Sequence, residues 1–334
     1  MSNTEAASPA LVCRAGPHPG AVQVLTAREV PLGGPRALSV RRTLPQRARS
    51  LIGAWCFADH YGPVDVADTG PMTVPPHPHT GLQTVSWLFS GEIEHRDSLG
   101  SHAVIRPGEL NLMTGGHGIC HSEVSTVSAM STGTAILHGV QLWVALPDEH
   151  RDAARDFRHH KPAPRELGDA TLRVFLGSLA GETSPVATFT PLLGAELVLA
   201  PGGELDLAVD PAFEHGVLLD TGSVTVAGTR LAPSELGYLA PGATTLSLAN
   251  HTDRPARALL LGGPPFAEEI VMWWNFVGRD HDEIVAFRAA WEAESERFGQ
   301  VVGYSGTPRR LPAPPLPHAR LTPRGAAAPR VENP

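Results

Sequence analysis

Two pairs of side chains in the sequence have the spacing of metal ligands. One residue separates His77 from His79, and one residue separates His121 from Glu123. In an extended strand the side chains at positions i and i+2 project from the same face, so each pair can point at one atom. Three imidazoles and one carboxylate form a donor set for a first-row transition metal. Such a set suits Fe(II), Ni, Mn, Cu or Zn and leaves one or two coordination positions open.

The residues around the first pair predict the kind of strand that carries it. Pro76 and Pro78 exclude a helix and a central position in a sheet, so His77 and His79 are expected in an edge or rim segment. The same alternation along the second strand turns Cys120 away from the metal. We therefore interpret Cys120 as a buried, unreactive thiol and not as a ligand.

The composition is that of a globular protein of about two domains. Its 334 residues are 42% hydrophobic and 18% charged, with a net charge of −8. That charge excludes a global basic field, so no direct binding of nucleic acid is expected. Three scattered cysteines are not a disulfide framework, which predicts a cytoplasmic protein. Neither a signal peptide nor an apolar stretch of the ~20 residues needed to span a bilayer is recognisable, so no membrane segment is expected.

Short apolar segments and turn signals predict an all-β fold. Segments rich in β-forming residues recur between glycine- and proline-bearing turns from about residue 36 to 146, and the rhythm resumes over 171–262. Residues 147–170 are polar and interrupted by proline, as in a linker between domains. Residues 1–35 are expected to be a flexible N-terminal segment.

The C-terminal part of the chain changes character twice. Over residues 281–300 the apolar period becomes that of a helix, and Asp280 with Glu283 fits a capping box at its start. The apolar residues that share one helical face are Ile284, Phe287, Trp291 and Phe298. After Ser305 the chain contains eight prolines and five arginines, which predicts a disordered tail over residues 305–334.

Four sequence runs resemble the pirins, a family of bicupins within the cupin superfamily. The runs are WCFADHYGP at 55–63, HPHTGLQTV at 77–85, GEIEHRDSLG at 91–100 and GICHSE at 118–123. With weaker likeness downstream, the resemblance covers about residues 36–300. It implies two stacked cupin β-barrels of the jelly-roll type followed by a C-terminal helix.

The resemblance also implies one mononuclear iron in the N-terminal cupin. Residues 36–146 would form that cupin, and the pirin ligands correspond to the four residues already selected by spacing: His77, His79, His121 and Glu123. Residues 171–280 would form the C-terminal cupin. Its histidines, His215 and His251, belong to no H-x-H motif, so it is expected to lack a metal.

The sequence departs from the common cupin pattern at two positions near the site. Gln83 stands where many cupins have glutamate; it cannot ionise, so it could orient a ligand or substrate but not act as a base. His117 stands where arginine or lysine is common, and it could orient a metal ligand or face solvent. His95 and Asp97 also have i, i+2 spacing, but the family pattern does not use them, and a turn is the better interpretation. Three other histidines are interpreted as structural: His60, His102 and His138.

The resemblance implies two functional hypotheses. The first is a dioxygenase of the quercetin 2,3-dioxygenase type, which opens a flavonol or a similar enol-bearing chelator with O2, with Glu123 as both ligand and catalytic base. The second is a non-enzymatic, iron-dependent regulator that binds a protein partner, as the likeness to animal pirins implies. A ligand-sized pocket over the metal would favour the enzyme, and a closed barrel mouth beside an apolar patch would favour the regulator. We favour the enzyme.

Overall fold

A computed structural model describes residues 21–31, 38–125 and 135–325 of the chain. The strands of its first half are β1 (Gln23–Leu25), β2 (Arg28–Pro31), β3 (Ser39–Leu44), β4 (Trp55–Asp65), β5 (Thr73–His79), β6 (Leu82–Ser90), β7 (Ile93–Asp97), β8 (His102–Ile105), β9 (Leu110–Thr114), β10 (Ile119–Ser125), β11 (Ile136–Ala145) and β12 (Asp156–His160).

The strands of the second half are β13 (Arg165–Leu167), β14 (Ala170–Leu176), β15 (Ser178–Leu179), β16 (Glu182–Thr183), β17 (Leu193–Leu199), β18 (Glu204–Ala208), β19 (Glu214–Thr221), β20 (Val224–Val226), β21 (Thr229–Leu231), β22 (Leu236–Leu239), β23 (Thr245–Ala249), β24 (Ala256–Gly263), β25 (Val271–Trp273) and β26 (Phe276–Gly278). The helices in the described residues are α1 (Val66–Thr69), a 3-10 turn (Asp148–His150) and α2 (His281–Glu292). None of them is long and apolar enough to cross a membrane.

Two antiparallel sheets form each barrel. In the first barrel, a sheet ordered β12-β9-β6-β11-β4-β3-β2 faces a sheet ordered β5-β10-β7-β8. In the second, β1-β22-β19-β24-β17-β14-β13 faces β18-β23-β20-β21. The prediction of an all-β fold with two cupin barrels and a C-terminal helix is confirmed. The inner strands of the larger sheets, such as β6, β11, β17 and β24, bury their apolar residues.

The segment predicted to be a flexible N-terminus, residues 1–35, contains two strands that belong to the barrels. Within the segment predicted to be flexible, β1 pairs with β22 of the second barrel and β2 pairs with β3 of the first. Leu25 and Val30 are buried, and their apolar side chains hold these short strands in place. Residues 1–20 and 32–35 of that segment lie outside the described residues.

The predicted linker, residues 147–170, is also used by both barrels. Strand β12 pairs with β9 of the first barrel, and β13 pairs with β14 of the second. Phe157 on β12 stacks on the His95 ring, with 4.6 Å between ring centroids. Neither strand contains a fully buried residue, which agrees with the polar composition of this segment.

The last part of the predicted C-terminal cupin returns to the first barrel. Strands β25 and β26 form a hairpin, and Val277 donates its backbone N–H to the carbonyl of Thr80 at 3.0 Å. Gly81 has a φ of 66°, and a Cβ there would lie 2.2 Å from the carbonyl oxygen of Val277. Only glycine permits this close approach, which brings the hairpin against the end of β5.

The C-terminal helix begins as predicted and ends earlier than predicted. The Asp280 carboxylate accepts a hydrogen bond from Glu283 N at 2.9 Å, and α2 ends at Glu292 instead of near residue 300. The tail predicted to be disordered packs against the protein over its described part, which reaches residue 325. Leu311 is buried, and its carbonyl accepts a hydrogen bond from Trp291 Nε1 at 2.9 Å. Residues 326–334 lie outside the described part.

Candidate metal centre

Strands β5 and β10 bring the predicted ligands together. They pair in antiparallel register, with His121 opposite His77 and Ile119 opposite His79. As the prolines predicted, β5 is an edge strand, and the register shifts beside Pro75 and Pro76, where a bulge accommodates them. The three histidines and Glu123 are buried, each at most 1% exposed.

The three imidazoles converge on one point. One ring nitrogen from each of His77, His79 and His121 lies within 4.8 Å of the others, and His79 Nε2 is 3.1 Å from His121 Nε2. Glu123 is outside this limit, but its carboxylate is close enough to His77 to favour the protonated ring and act to raise the pKa of that imidazole. The structure thus brings together three of the four predicted ligands, with the fourth beside them.

Contacts on the far side of two rings fix which nitrogen faces the centre. His77 Nδ1 lies 2.9 Å from the carbonyl oxygen of Pro75, and His79 Nδ1 lies 3.2 Å from that of Asn275. A carbonyl oxygen can only accept, so each Nδ1 carries the proton and each Nε2 keeps its lone pair. His77 Nε2 is buried and has no hydrogen-bond partner among the described residues.

The third ring is fixed through a second histidine. Asp97 Oδ2 lies 3.0 Å from His95 Nε2, so that nitrogen must donate, which leaves His95 Nδ1 as an acceptor. His121 Nδ1 lies 3.3 Å away and donates to it, so His121 also presents an Nε2 lone pair. Asp97 Oδ1 accepts from the backbone N–H groups of Leu99 and Ser101, each at 2.9 Å, which holds the carboxylate in place.

Burial keeps these rings neutral. It lowers the pKa of His77, His79 and His121 well below the ordinary imidazole value, and repulsion among the rings lowers the pKa of His121 further. For Asp97, burial acts to raise the pKa, but the contact with His95 outweighs it and the pKa lies below its usual value. Metal ions bind neutral imidazole, so the residues present fit a metal of the first row.

The two residues predicted to orient a ligand lie in different surroundings. Gln83 is buried, donates from Nε2 to Thr114 Oγ1 at 2.9 Å, and lines a cleft of about 780 Å³. His117 is a surface residue whose side chain is 55% exposed and 3.5 Å from Asp152. The glycine-rich turn points the His117 side chain to solvent, so the alternative of a solvent-facing histidine is the one found.

The sequence interpretation missed the role of His95. Asp97 does close the expected turn, but the same carboxylate also holds His95 against His121. The i, i+2 spacing of His95 and Asp97 was the available signal, since it is the spacing of the ligand pairs themselves. What the sequence lacked was the pairing of β7 with β10, which places Asp97 opposite His121.

Comparison with known proteins agrees with this fold. The family model described as Pirin matches residues 37–144, and that described as the pirin C-terminal cupin domain matches residues 194–299. Over 321 residues the chain is 46% identical to the provisionally named quercetin 2,3-dioxygenase PA1205 of Pseudomonas aeruginosa, covering 95% of this chain and 98% of that protein. It is 36% identical over 277 residues to a pirin-like protein of Caulobacter vibrioides, covering 81% and 92%.

Two solved structures place the fold in the same group. A quercetin 2,3-dioxygenase of Acinetobacter baumannii matches with a TM-score of 0.83 and 37% identity, over 92% of this chain and 98% of that one. The Escherichia coli pirin YhhW, solved in complex with nickel(II), shares the fold at a TM-score of 0.57 and 17% identity, over 73% of this chain and 100% of that one. The chain belongs to the pirin family of the cupin superfamily.

Proposed function

We propose that this pirin is a metal-dependent dioxygenase of the quercetin 2,3-dioxygenase type. Its substrate would be a flavonol or a similar enol-bearing chelator, and O2 would be the second substrate. The observation that carries the proposal is the convergence of three neutral imidazoles, His77, His79 and His121, with Glu123 beside them. The names of the relatives from Pseudomonas aeruginosa and Acinetobacter baumannii support the same reaction.

The proposed cofactor is one Fe(II) ion, held by the three Nε2 atoms and the Glu123 carboxylate. Nitrogen and oxygen donors without thiolate also suit Ni, Mn, Cu or Zn, which the experiment below compares. A bound metal would supply Lewis acidity toward an enolate oxygen and, as a redox-active ion, reactivity toward O2. We place the reaction in the cytoplasm, where the free thiols of Cys56 and Cys120 stay reduced.

The protein residues have separable tasks in this reaction. Glu123 is the proposed base, and its carboxylate oxygen takes the proton of the flavonol 3-hydroxyl group. His77 and His79 keep their Nε2 lone pairs directed inward because backbone carbonyls hold their Nδ1 protons. Gln83, at the wall of the cleft of about 780 Å³, is proposed to orient the substrate through its amide.

One observation favours the second hypothesis, a metal-dependent regulator that binds a protein partner. The three imidazoles and Glu123 are at most 1% exposed, so the centre is enclosed as a structural metal site would be. For a regulator the metal would stabilise one conformation of the surrounding loops, and O2 would have no part. The two hypotheses therefore differ in whether substrate consumes O2.

The test is O2 uptake with quercetin by tag-free protein loaded anaerobically with Fe(II), compared with loading by Ni, Mn, Cu and Zn. We expect O2 uptake with one carbon monoxide released per O2, because both oxygen atoms enter the opened product and one ring carbon leaves. His79→Ala should lose activity together with the metal bound at this centre. His102→Ala is the matched control, since that histidine is 52% exposed and outside the site. No uptake by protein that holds a metal ion at this centre would set the quercetinase reaction aside and favour the regulator.

A further inference from the structure

A second cluster of possible ligands joins the two barrels. His60 on β4 and His138 on β11 come from the first barrel, and Asp220 on β19 comes from the second. All three are buried, at 1%, 5% and 4% exposed. Asp220 Oδ1 lies 2.7 Å from His60 Nε2 and 2.7 Å from His138 Nε2, and the two nitrogens are 3.1 Å apart.

The three atoms form a triangle of the size expected around a metal ion. In a tetrahedral zinc site with bonds of about 2.0–2.1 Å, neighbouring donor atoms are about 3.3 Å apart. The His60–His138 edge is close to this value and equals the 3.1 Å between His79 and His121 at the first centre, whereas the two edges to Asp220 are shorter, at 2.7 Å. Asp220 Oδ1 nevertheless accepts no well-aligned hydrogen bond from the described residues. Three potential ligand atoms thus converge on one point between the barrels.

Irregular backbone aims these side chains at one another. The register of β11 against both neighbouring strands shifts at His138, and the register of β19 against β24 shifts at Asp220. Such bulges turn a side chain away from its regular direction. Ser234, which faces His60, has a φ of 68°, a strained conformation for a residue other than glycine. The first centre has the same device, a register shift between His121 and Glu123.

Two of the three side chains, His60 and Asp220, are oriented by a contact made through the atom that faces away from the cluster, as is common for metal ligands. His60 Nδ1 is 3.2 Å from Ser234 Oγ, so donation to that hydroxyl would leave Nε2 with its lone pair. Arg257 Nε is 2.6 Å from Asp220 Oδ2, which leaves Oδ1 to face the histidines. Burial lowers the pKa of His60 and outweighs the Asp220 carboxylate, which acts to raise it, while Arg41 also acts to lower it. The guanidinium groups of Arg257 and Arg41 repel a bound metal ion. The ion must therefore be held by direct bonds to the histidine nitrogens and the Asp220 carboxylate.

We propose that His60, His138 and Asp220 form a second metal site, which binds a divalent first-row ion of the zinc class between the barrels. Two histidines and one carboxylate are a common donor set for such ions. The site does not depend on the proposed dioxygenase reaction. Its ligands come from both barrels, so the ion would hold the barrels together.

The test is the Zn²⁺ content of tag-free protein that has been stripped with a chelator and re-equilibrated with Zn²⁺ alone. We expect two Zn²⁺ per chain for the wild type and one for the double variant His79→Ala/His121→Ala. Adding His138→Gln to that double variant should lower the remaining affinity by a factor of about 100 or more. Adding His102→Gln instead, at a surface histidine, should leave it unchanged.

The single variant His138→Gln keeps the result interpretable if the combined variant does not fold. Its first centre is intact, so a folded protein should bind one Zn²⁺ instead of two, and the retained ion reports the fold. Zn²⁺ should also raise the Tm of the His79→Ala/His121→Ala variant and not that of the same variant carrying His138→Gln. Equal Zn²⁺ content in wild type and His138→Gln would overturn the proposal and leave the cluster as a metal-free contact between the barrels.

Discussion

At the scale of single residues, the first metal centre depends on a side chain that is not a ligand. His95 is the acceptor for the His121 Nδ1 proton, and Asp97 fixes His95 in the tautomer that can accept it. Without that acceptor, the His121 ring could rotate or exchange the proton between its nitrogens, and Nε2 would no longer be a fixed donor. His95 therefore acts as a positioning residue: together with Asp97 in the same H-x-D motif, it holds the His121 ring in place.

We predict that His95→Leu weakens metal binding at this centre by a factor of about 10–100. The leucine fills the space against Phe157 but cannot accept the His121 proton. His95→Gln, whose amide oxygen can accept, should recover part of the affinity. Affinity is measured by competition with a chromophoric chelator, in a His138→Gln background so that the second cluster does not contribute. Equal affinities for His95→Leu and the parent would remove His95 from this role.

At the scale of elements, short strands and segments are placed by a few buried residues. The chain after α2 contains many prolines, which hold it extended, and its composition predicts disorder. Leu311, at 8% exposed, and Ala313, at 6%, nevertheless enter the same apolar cluster as Trp291 and Phe298. Hydrogen bonds add to this packing: Trp291 Nε1 donates to the Leu311 carbonyl at 2.9 Å, and Ala313 N donates to Glu292 Oε1 at 2.8 Å. The segment can be held by such contacts because an extended proline-rich chain loses little entropy on docking.

The expected cost of Leu311→Ala is about 2 kcal/mol in the free energy of unfolding, at the lower end of the range for buried leucine because the site is at the edge of the cluster. Val302→Ala is the matched control, since Val302 is 80% exposed and should change stability by less than ~0.5 kcal/mol. Both are measured by urea unfolding. If the tail were disordered, as its composition predicts, the two variants would be equally stable.

What the sequence could predict at this scale was local. The i, i+2 spacing of His77 and His79, and of His121 and Glu123, follows from the pleat of a strand, and the start of α2 follows from Asp280 and its period. Pairings between distant segments were beyond it. Nothing near Gln23 indicates β22 as the partner of β1, and nothing near His79 indicates that the carbonyl of Asn275 holds its ring. These contacts depend on the register and closure of the barrels.

At the scale of the whole molecule, the two barrels share one apolar core and several buried polar contacts. Trp55 Nε1 donates to the Leu193 carbonyl at 3.0 Å, and Trp87 Nε1 donates to Glu196 Oε2 at 2.8 Å. One buried apolar cluster includes residues of both barrels, among them Trp87 and Phe175, whose ring centroids are 4.6 Å apart. In addition, β1 pairs with β22 of the second barrel, and the β25–β26 hairpin contacts the first barrel through Val277 and Thr80. We therefore expect the barrels to unfold together.

Glu214 is the residue through which this joint is best tested. From the second barrel its carboxylate accepts hydrogen bonds from Gly53 N at 2.7 Å and Arg49 Nη1 at 3.3 Å, both in the first barrel. It also accepts from Tyr238 Oη at 2.7 Å. Removing the carboxylate leaves the Arg49 guanidinium, the Tyr238 hydroxyl and the Gly53 amide without this acceptor. Breaking a buried ion pair by removing one partner costs about 3–5 kcal/mol in the free energy of unfolding.

We therefore predict that Glu214→Ala lowers the free energy of unfolding by about 3 kcal/mol or more while unfolding stays a single transition. Urea unfolding followed by both tryptophan fluorescence and far-UV circular dichroism measures this, with Glu204→Ala, an exposed glutamate on β18, as the control. A second transition in either protein would show that the barrels unfold separately and that the joint adds little. Coincident curves shifted to lower urea for Glu214→Ala alone would show that the buried carboxylate stabilises the two barrels as one unit.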